Sequence, residues 1–399
     1  MAVVRNTAGL GDAFPSARFV ELDLARATAV AAWTPLLSGI DLIVNAAGIL
    51  RGSGMNAVHV DMPRALYAAA VDAGVRRAVL ISAISARPDV DTDYARSKLA
   101  GEHALRESGL GWTILRPSLV YGEGSYGGTS LMRGMAGLPF AIPIPGDGRF
   151  VFTPIHVRDL ARAVRIACEE ERFAGQTLDP VGPETLELRD LLGRYRAWLG
   201  FGSARFFPIP MPLMRLLGRL GDGVGNGPIA TNSLAQMVAG NAGDSAAFRD
   251  VIGFQSRTLD EALRVRPAEV QDQWHARLFL LAPLIKTILV LLWLASAWLG
   301  LAHGAAPTAE LVEALGLPHA WADPLRIGGS ILDIAIAALL LGDRTARLST
   351  AAQLLAVVGY TFVIGIAMPG LWLDPLGPLL KNLPILALVL VHGAIGGKG

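Results

Sequence analysis

From Phe279 to the end of the chain nearly every long stretch is apolar, whereas residues 1 to about 275 alternate charged and apolar segments. This change of pattern constrains the fold more than any motif. The first part must hide its apolar side chains in a core, while the second can leave them facing lipid. Four apolar runs follow Trp274, at about 279–302, 325–342, 350–369 and 377–397. Each approaches the ~20 residues that cross a ~30 Å hydrocarbon layer at ~1.5 Å per residue. The pattern predicts an all-α transmembrane four-helix bundle at 279–399, a connector at 266–278 and an α/β domain at 1–265. The composition agrees, with 52% hydrophobic residues and a mean hydropathy of +0.44, both high for a water-soluble enzyme.

Charge excludes one class of function. The formal net charge is +1 and the basic residues are scattered, so no nucleic-acid footprint is present. The single cysteine, Cys168, lies in an apolar helical run and can form no internal disulfide, which suits packing in a reducing compartment.

Within the first part, short apolar runs alternate with helical patterns. Ala2 to Arg5, Arg18 to Leu22, Asp41 to Ala47, Arg77 to Ala83 and Trp112 to Pro117 read as strands of a parallel sheet. ALYAAAVDAG and YARSKLAGEHALRESG read as helices closed by glycine. The fold class is therefore a doubly wound, Rossmann-like α/β sheet, on which ligands bind at the carboxyl ends of the strands.

The informative residues fall at those ends: Asp23, NAAG (Asn45 to Gly48), ISAIS (Ile81 to Ser85) and RPSLVYGEG (Arg116 to Gly124). After ISAIS comes DYARSK, where Tyr94 and Lys98 are four apart and share one helix face. An ammonium beside a phenol favours the phenolate, so this spacing predicts a tyrosine of lowered pKa that exchanges a proton with an alcohol or carbonyl. The lysine also suits holding a ribose, and a serine near the strand end suits polarising a substrate oxygen.

YxxxK in this position, behind NAAG and ahead of RPSLVYGEG, resembles the short-chain dehydrogenase/reductase superfamily in its extended or atypical branch, over roughly residues 1–265. YARSKLAGE, VFTPIHVRDLARAV and RTLDEALR with PAEVQDQWHAR look most like NAD(P)H-binding proteins related to the nucleotide-binding accessory subunit of respiratory complex I. The resemblance implies Tyr94 as acid/base with Lys98 beside it. It implies Arg5 at the 2′-phosphate of NADP(H), preferred here over NAD(H), since a guanidinium grips phosphate as a fork. It places Asp23 and Leu24 at the adenine, Asn45, Ala46, Ala47 and Gly48 along the ribose and nicotinamide, and Pro117 and Ser118 near the nicotinamide. The chain departs from the family pattern at the catalytic hydroxyl, because Ala83 follows Ser82 and leaves Ser82 or Ser85 as imperfect candidates. The resemblance also implies a strand and glycine-rich turn ahead of the first run. Gly9 and Gly11 follow the second-strand run and cannot serve as that fingerprint, so a βα unit of about 30 residues is expected before Met1.

His156 and Asp159 suggest a helix start rather than a metal pair, since no further ligand cluster supports one. No metal is expected. FFPIPMPLMRLLGRLGD (Phe206 to Asp222) has an apolar face with Arg215 and Arg219 four apart, and suits either a lid over a cleft or a helix lying on a membrane surface.

In the membrane part, RIGGSILDIAIAALLLG and LDPLGPLLKNLPILAL resemble the DoxX-like family of small four-helix membrane proteins, whose relatives are associated with quinone-linked redox. Asp333 sits inside the second run, where an ionisable group marks a functional candidate, and Lys381 is positioned to pair with it or to snorkel. The loop carrying Arg344 and Arg347 is basic, while the loop from His303 to Pro324 carries Glu310, Glu313 and Asp323. By the positive-inside rule both termini are cytoplasmic and the protein is a multi-pass protein of the cell (inner) membrane. Three functions fit: a membrane-anchored NAD(P)H-dependent oxidoreductase acting on a carbonyl or quinone, a non-catalytic nucleotide-binding subunit of a respiratory-chain assembly, and a nicotinamide-retaining epimerase or dehydratase. The partners implied are the lipid bilayer and a quinone or respiratory-chain component.

Overall fold

The computed structural model describes residues 1–50, 52–124, 127–223, 231–343 and 345–396. They form two compact units, Met1–Ala276 and Arg277–Gly399.

In the first unit β1 (Ala2–Val4) pairs in parallel with β2 (Phe19–Glu21) as a two-stranded ribbon. β3 (Leu42–Asn45), β4 (Arg77–Ile81), β5 (Gly111–Leu115) and β10 (Gln176–Leu178) form a parallel sheet in the order β10-β5-β4-β3. β4 is buried on both faces, which is why Ala78, Val79 and Leu80 run on without polar alternation. β3 pairs only with β4 among the described residues, and its Val44 is 44% exposed. Val3 and Leu22 of the ribbon pack on the same apolar cluster as Ile43, Leu66 and Tyr67.

Helices alternate with these strands: α1 (Leu10–Ala13), α2 (Met62–Asp72) and α3 (Asp93–Arg106). α2 carries Pro63 just after a π-helical turn (Ala57–Asp61) that runs into it, and is followed by Gly74 at φ +77°. α3 starts at Thr92, whose Oγ1 accepts the Ala95 N–H at 3.1 Å. Beyond β5 come β6 (Val120–Tyr121), α4 (Gly127–Ala136), β7 (Ile142–Pro145), β8 (Val151–Phe152), β9 (Ile155–His156) and α5 (Val157–Glu169). After β10 follow β11 (Leu186–Glu187), α6 (Leu188–Trp198), β12 (Phe206–Ile209), α7 (Met211–Gly223), α8 (Thr231–Val238), α9 (Ser245–Ile252), α10 (Leu259–Val265) and α11 (Val270–Leu278). β6 pairs with β9 and β7 with β12 in parallel, and β8 with β11 antiparallel.

The second unit is helical: α12 (Leu281–His303), α13 (Ala305–Ala314), α14 (Ala322–Gly342), α15 (Arg347–Ala367) and α16 (Asn382–Ile395). α12 packs on α14 and α16, and α15 on α14 and α16, around Leu289, Trp293, Ile336, Leu340, Val357 and Val389. Gly300 lets α12 approach α14 closely, since a Cβ there would lie 2.6 Å from Ser330 Oγ. Two expectations change here. Among the described residues three helices are long and apolar enough to cross a membrane, Leu281–His303, His319–Gly342 and Arg347–Ala367, whereas the fourth run yields a 14-residue helix. Asp374, Pro375, Gly377 and Pro378 break the backbone pattern ahead of it, and 14 residues extend only ~21 Å. The loop between the first two spans is also largely helical, as α13. Arg344, one of the two arginines on which the orientation rests, lies outside the described residues, and Arg347 begins α15.

Candidate active site

The parallel register sets the carboxyl ends of β3, β4 and β5 side by side, with Asn45 opposite Leu80 and Ile81 opposite Leu115. α3 delivers Lys98 to these ends, where Nζ donates to the carbonyls of Ile81 at 3.0 Å and Ala47 at 3.4 Å. Gly48 leaves room for it: a Cβ at that position would stand 3.1 Å from Nζ. Burial pulls the amine down to about 8, although Glu102 pushes it the other way.

Tyr94 lies one turn earlier on the same helix, half-buried, with its ring edge-on to His59 at 5.7 Å between centroids. Its phenol is pushed up to about 12 by burial, not lowered as the i,i+4 spacing predicts. Nζ is hydrogen-bonded to two backbone carbonyls, and loss of water around the phenol dominates. Tyr94 is therefore a protonated phenol at neutral pH.

Sequence reasoning missed His59, which sits between two buried valines in a π-helical turn (Ala57–Asp61) running into α2. Its Nε2 accepts the Ile49 N–H at 3.1 Å, so Nδ1 carries the proton and faces Ser97 Oγ at 2.9 Å. Ser97 Oγ donates in turn to the Tyr94 carbonyl at 3.0 Å. Burial and the neighbouring Lys98 pull His59 down to about 3, which keeps it neutral. The available signal was one histidine within an apolar run just after NAAG.

The serine candidates separate. Ser82 Oγ donates to Glu102 Oε1 at 2.6 Å, and the same carboxylate, fully buried, receives Arg116 through two bonds of 2.8 and 2.6 Å and Arg106 at 3.0 Å. Ser82 thus belongs to a structural ion-pair network. Ser85 is buried in the turn after β4. Ser118 is buried and donates to the Asn241 carbonyl, and Pro117 accepts the Ile84 N–H at 3.0 Å.

Asn45 is buried, accepting the Ala47 N–H at 3.1 Å and donating to Tyr67 Oη at 3.2 Å, which shapes the NAAG turn so that Ala46 and Gly48 stay exposed. Arg5 directly follows β1 and is exposed. Asp23 accepts the Ala25 N–H at 3.1 Å beyond β2, and Leu24 packs on the core.

A cavity of about 630 Å³ lies along α3 and the loop before the π-helical turn, lined by Gly52, Ser53, Met55, Asn56, Asp93 and Ser97 among others. A second, of about 310 Å³ and including Arg133, Arg158, Arg257 and Arg266, contains neither Tyr94 nor Lys98. Its arginines are paired: Arg158 with Glu123, Arg257 with Asp159, and Arg133 and Arg266 with Asp272. His156 starts α5, its Nδ1 accepting the Arg158 N–H at 3.2 Å, and Asp159 takes two bonds from the Arg257 guanidinium. Cys168 is half-buried in α5.

In the bundle Asp333 is buried, accepting from Ser296 of α12 at 2.6 Å and Tyr360 of α15 at 3.2 Å. Lys381 is exposed at the start of α16, so pairing with Asp333 gives way to hydroxyl donors from neighbouring helices.

Residues 1–137 match the family described as NAD(P)H-binding, and residues 290–390 match the DoxX-like family. Among curated proteins the chain is 32% identical over 136 residues to a ceramide reductase of Caulobacter vibrioides, covering 33% of this chain and 42% of that protein. It is 28% identical over 159 residues to mouse NADH dehydrogenase [ubiquinone] 1 alpha subcomplex subunit 9, mitochondrial, covering 39% of this chain and 40% of that one. The chain thus spans less than half the length of these relatives. A nucleoside-diphosphate-sugar epimerase from Staphylococcus aureus shares the fold at a TM-score of 0.53 and 16% identity, over 66% of this chain and 89% of that one. The first unit thus carries an NAD(P)H-binding family match at residues 1–137 on a Rossmann-like parallel sheet. The chain joins it to a DoxX-like membrane region.

Proposed function

We propose that this protein is a membrane-anchored, NAD(P)H-dependent oxidoreductase that reduces a carbonyl or quinone-type acceptor dissolved in the bilayer. The observation that carries this reading is the placement of Lys98 Nζ at the ends of β3 and β4 with the protonated Tyr94 phenol one turn away. The residues fit a nicotinamide nucleotide: the exposed NAAG turn offers backbone, Gly48 keeps the space above Nζ free of a Cβ, and Lys98 offers a donor for ribose hydroxyls. When bound, the nicotinamide supplies hydride. Tyr94 donates its proton to the acceptor oxygen as carbon is reduced, and solvent restores it. Lys98 orients ribose, while neutral His59 packs the phenol edge-on. The name of the Caulobacter relative, ceramide reductase, supports an acceptor of lipid character.

Full-length protein in nanodiscs oxidises NADPH with a long-chain aldehyde or a quinone, and Tyr94→Phe lowers aldehyde reduction by about 10²-fold or more. Equal rates would end the acid/base assignment. NADPH is the preferred cofactor, with Arg5 at the 2′-phosphate, so Arg5→Ala weakens NADPH binding much more than NADH binding. Equal weakening of both would return Arg5 to the surface. The nucleotide domain is cytoplasmic at the cell membrane, and a cysteine at Glu310 labels with an impermeant reagent from outside whereas one at Thr345 does not.

A second reading is favoured by one observation. With Ser82 bound to Glu102, the serine that directly follows β4 serves an ion-pair network instead of an acceptor oxygen, which suits a nucleotide-binding subunit of a respiratory assembly. In that case NADPH raises thermal stability without turnover.

A further inference from the structure

We propose that the β12–α7 segment of the first unit is an interfacial device that lies on the anionic surface of a lipid bilayer. From Leu191 to Gly221 the chain has no Asp or Glu, with Asp222 the one acid of α7, and Arg205, Arg215 and Arg219 fall among Phe206, Phe207, Leu213 and Leu216. α7 sorts these residues by face. Gly218 is buried against Thr231 at the start of α8, and Met214 and Leu217 are half-buried on that side. Leu213 and Leu216, one turn apart, are 46% and 52% exposed, and Arg215 and Arg219, also one turn apart, are exposed on the adjoining flank.

The neighbouring elements extend the surface. Phe207 of β12 is 62% exposed and Phe140, two residues ahead of β7, is 87% exposed. The two strands are held in register by the Ile142 N–H on the Arg205 carbonyl at 2.7 Å and by pairing through Ile209 and Pro145. No ion pair is found for Arg205, Arg215 or Arg219 among the described residues. Water does not favour so many large apolar side chains on one set of adjoining elements, and no described carboxylate pairs with their basic flank. An anionic leaflet satisfies both at once: rings and leucines enter the headgroup boundary while guanidiniums meet phosphate. The chain supplies its own proximity to such a surface, because three helices long and apolar enough to cross a membrane follow among the described residues, the first at Leu281. Tethering turns a weak interfacial affinity into a populated contact.

The alternative for this segment is a lid over the nucleotide cleft, and the experiment separates the two without turnover, so failure of the proposed oxidoreductase function leaves its outcome untouched. Nitroxide labels are placed at Leu213→Cys and Leu216→Cys, with Val71→Cys on α2 as a water-exposed control, all in a Cys168→Ser background. The full chain is reconstituted in nanodiscs of phosphatidylcholine with or without phosphatidylglycerol. The expected result is that labels at 213 and 216 collide with oxygen but are shielded from a water-soluble nickel chelate only in the anionic discs, while 71 stays open to nickel. Arg215→Gln and Arg219→Gln each lower the ratio of shielded to open label by about fivefold. Amide exchange of α7 in the unlabelled wild-type chain should slow in anionic relative to zwitterionic discs. Labels open to nickel in both lipids would overturn the proposal, as would shielding that appears only on adding NADPH, regardless of lipid.

Discussion

The two units differ most in the apolar side chains they leave exposed. In Met1–Ala276 the fully buried positions include Val79, Ile114, Leu115, Ile155 and Leu191. In Arg277–Gly399, Leu291, Leu355, Phe362 and Ile366 are more than half exposed, while Ser330, Asp333, Ser349, Gln353 and His392 are buried. The difference follows from the solvent. Water drives apolar surface inward, whereas lipid offers no such force between helices, so close packing of small residues and hydrogen bonds hold the bundle. Two buried carboxyl groups condense the contrast. Glu102 is surrounded by Arg106, Arg116 and Ser82, and Asp333 by the hydroxyls of Ser296 and Tyr360.

The largest effect expected from breaking this comparison is at Glu102. Removing Glu102 takes from Arg116 the carboxylate that holds it by two hydrogen bonds and leaves it the weaker attraction of Asp179, so Glu102→Ala should destabilise the first unit by about 3 kcal/mol. Hydrogen exchange of α3 and β5 in the full chain measures it, and an unchanged exchange rate would remove the network from the account of stability. Asp333→Asn keeps one oxygen to accept from one hydroxyl and offers an N–H to the oxygen of the other, and should cost about 1 kcal/mol or less in the bundle. A larger loss at 333 than at 102 would reverse the contrast.

Glycine contacts give a smaller, sharper pair. A Cβ on Gly101 would run into the backbone carbonyl of His59, which cannot move without shifting the π-helical turn. A Cβ on Gly300 would meet Ser330 Oγ, the end of a side chain that can rotate, although it then loses its bond to the Arg326 carbonyl. Gly101→Ala should therefore cost about 1–3 kcal/mol and Gly300→Ala less, as read by denaturation of the full chain in detergent.

The smallest effect is a pH dependence. Lys98 is pulled from its ordinary 10.5 to about 8, so between these values the unfolded chain binds more protons than the folded one. This group then adds stability as pH rises from about 8 towards 10.5, and Lys98→Met lacks that rise. NADPH affinity should move the other way, declining above pH about 8 as the ammonium is lost. His59, at about 3 against its ordinary 6.5, should add stability as pH rises from about 3 to 6.5 but give no step in NADPH affinity between pH 5 and 8. Fluorescence titration of NADPH across pH in the wild type and in His59→Gln tests both statements, and a step near pH 6.5 that the variant lacks would show that His59 is not neutral.

Much of this was legible along the chain. The strand runs match β1 to β5 within a residue or two because buried parallel strands are continuous apolar segments, which periodicity detects without knowing their partners. Tyr94 and Lys98 share a face because four residues of helix guarantee it. The point where the apolar pattern takes over was visible for the same reason, since lipid and water select residues locally.

What required the tertiary structure was every property set by residues distant in sequence. Lys98 bonds to carbonyls 17 and 51 residues away, so the direction of its ammonium, and with it the high phenol of Tyr94, lay beyond any spacing rule. Ser82 and Glu102, 20 apart, meet only once α3 packs on β4. His59 owes its tautomer to Ile49 and Ser97, and the fourth apolar run owes its short helix to where the backbone turns before Asn382. Pattern and helical spacing are local and determine the elements, the solvent each part meets and which side chains share a face. Desolvation, hydrogen-bond direction and pKa depend on what packs from elsewhere, and only the assembled fold decides them.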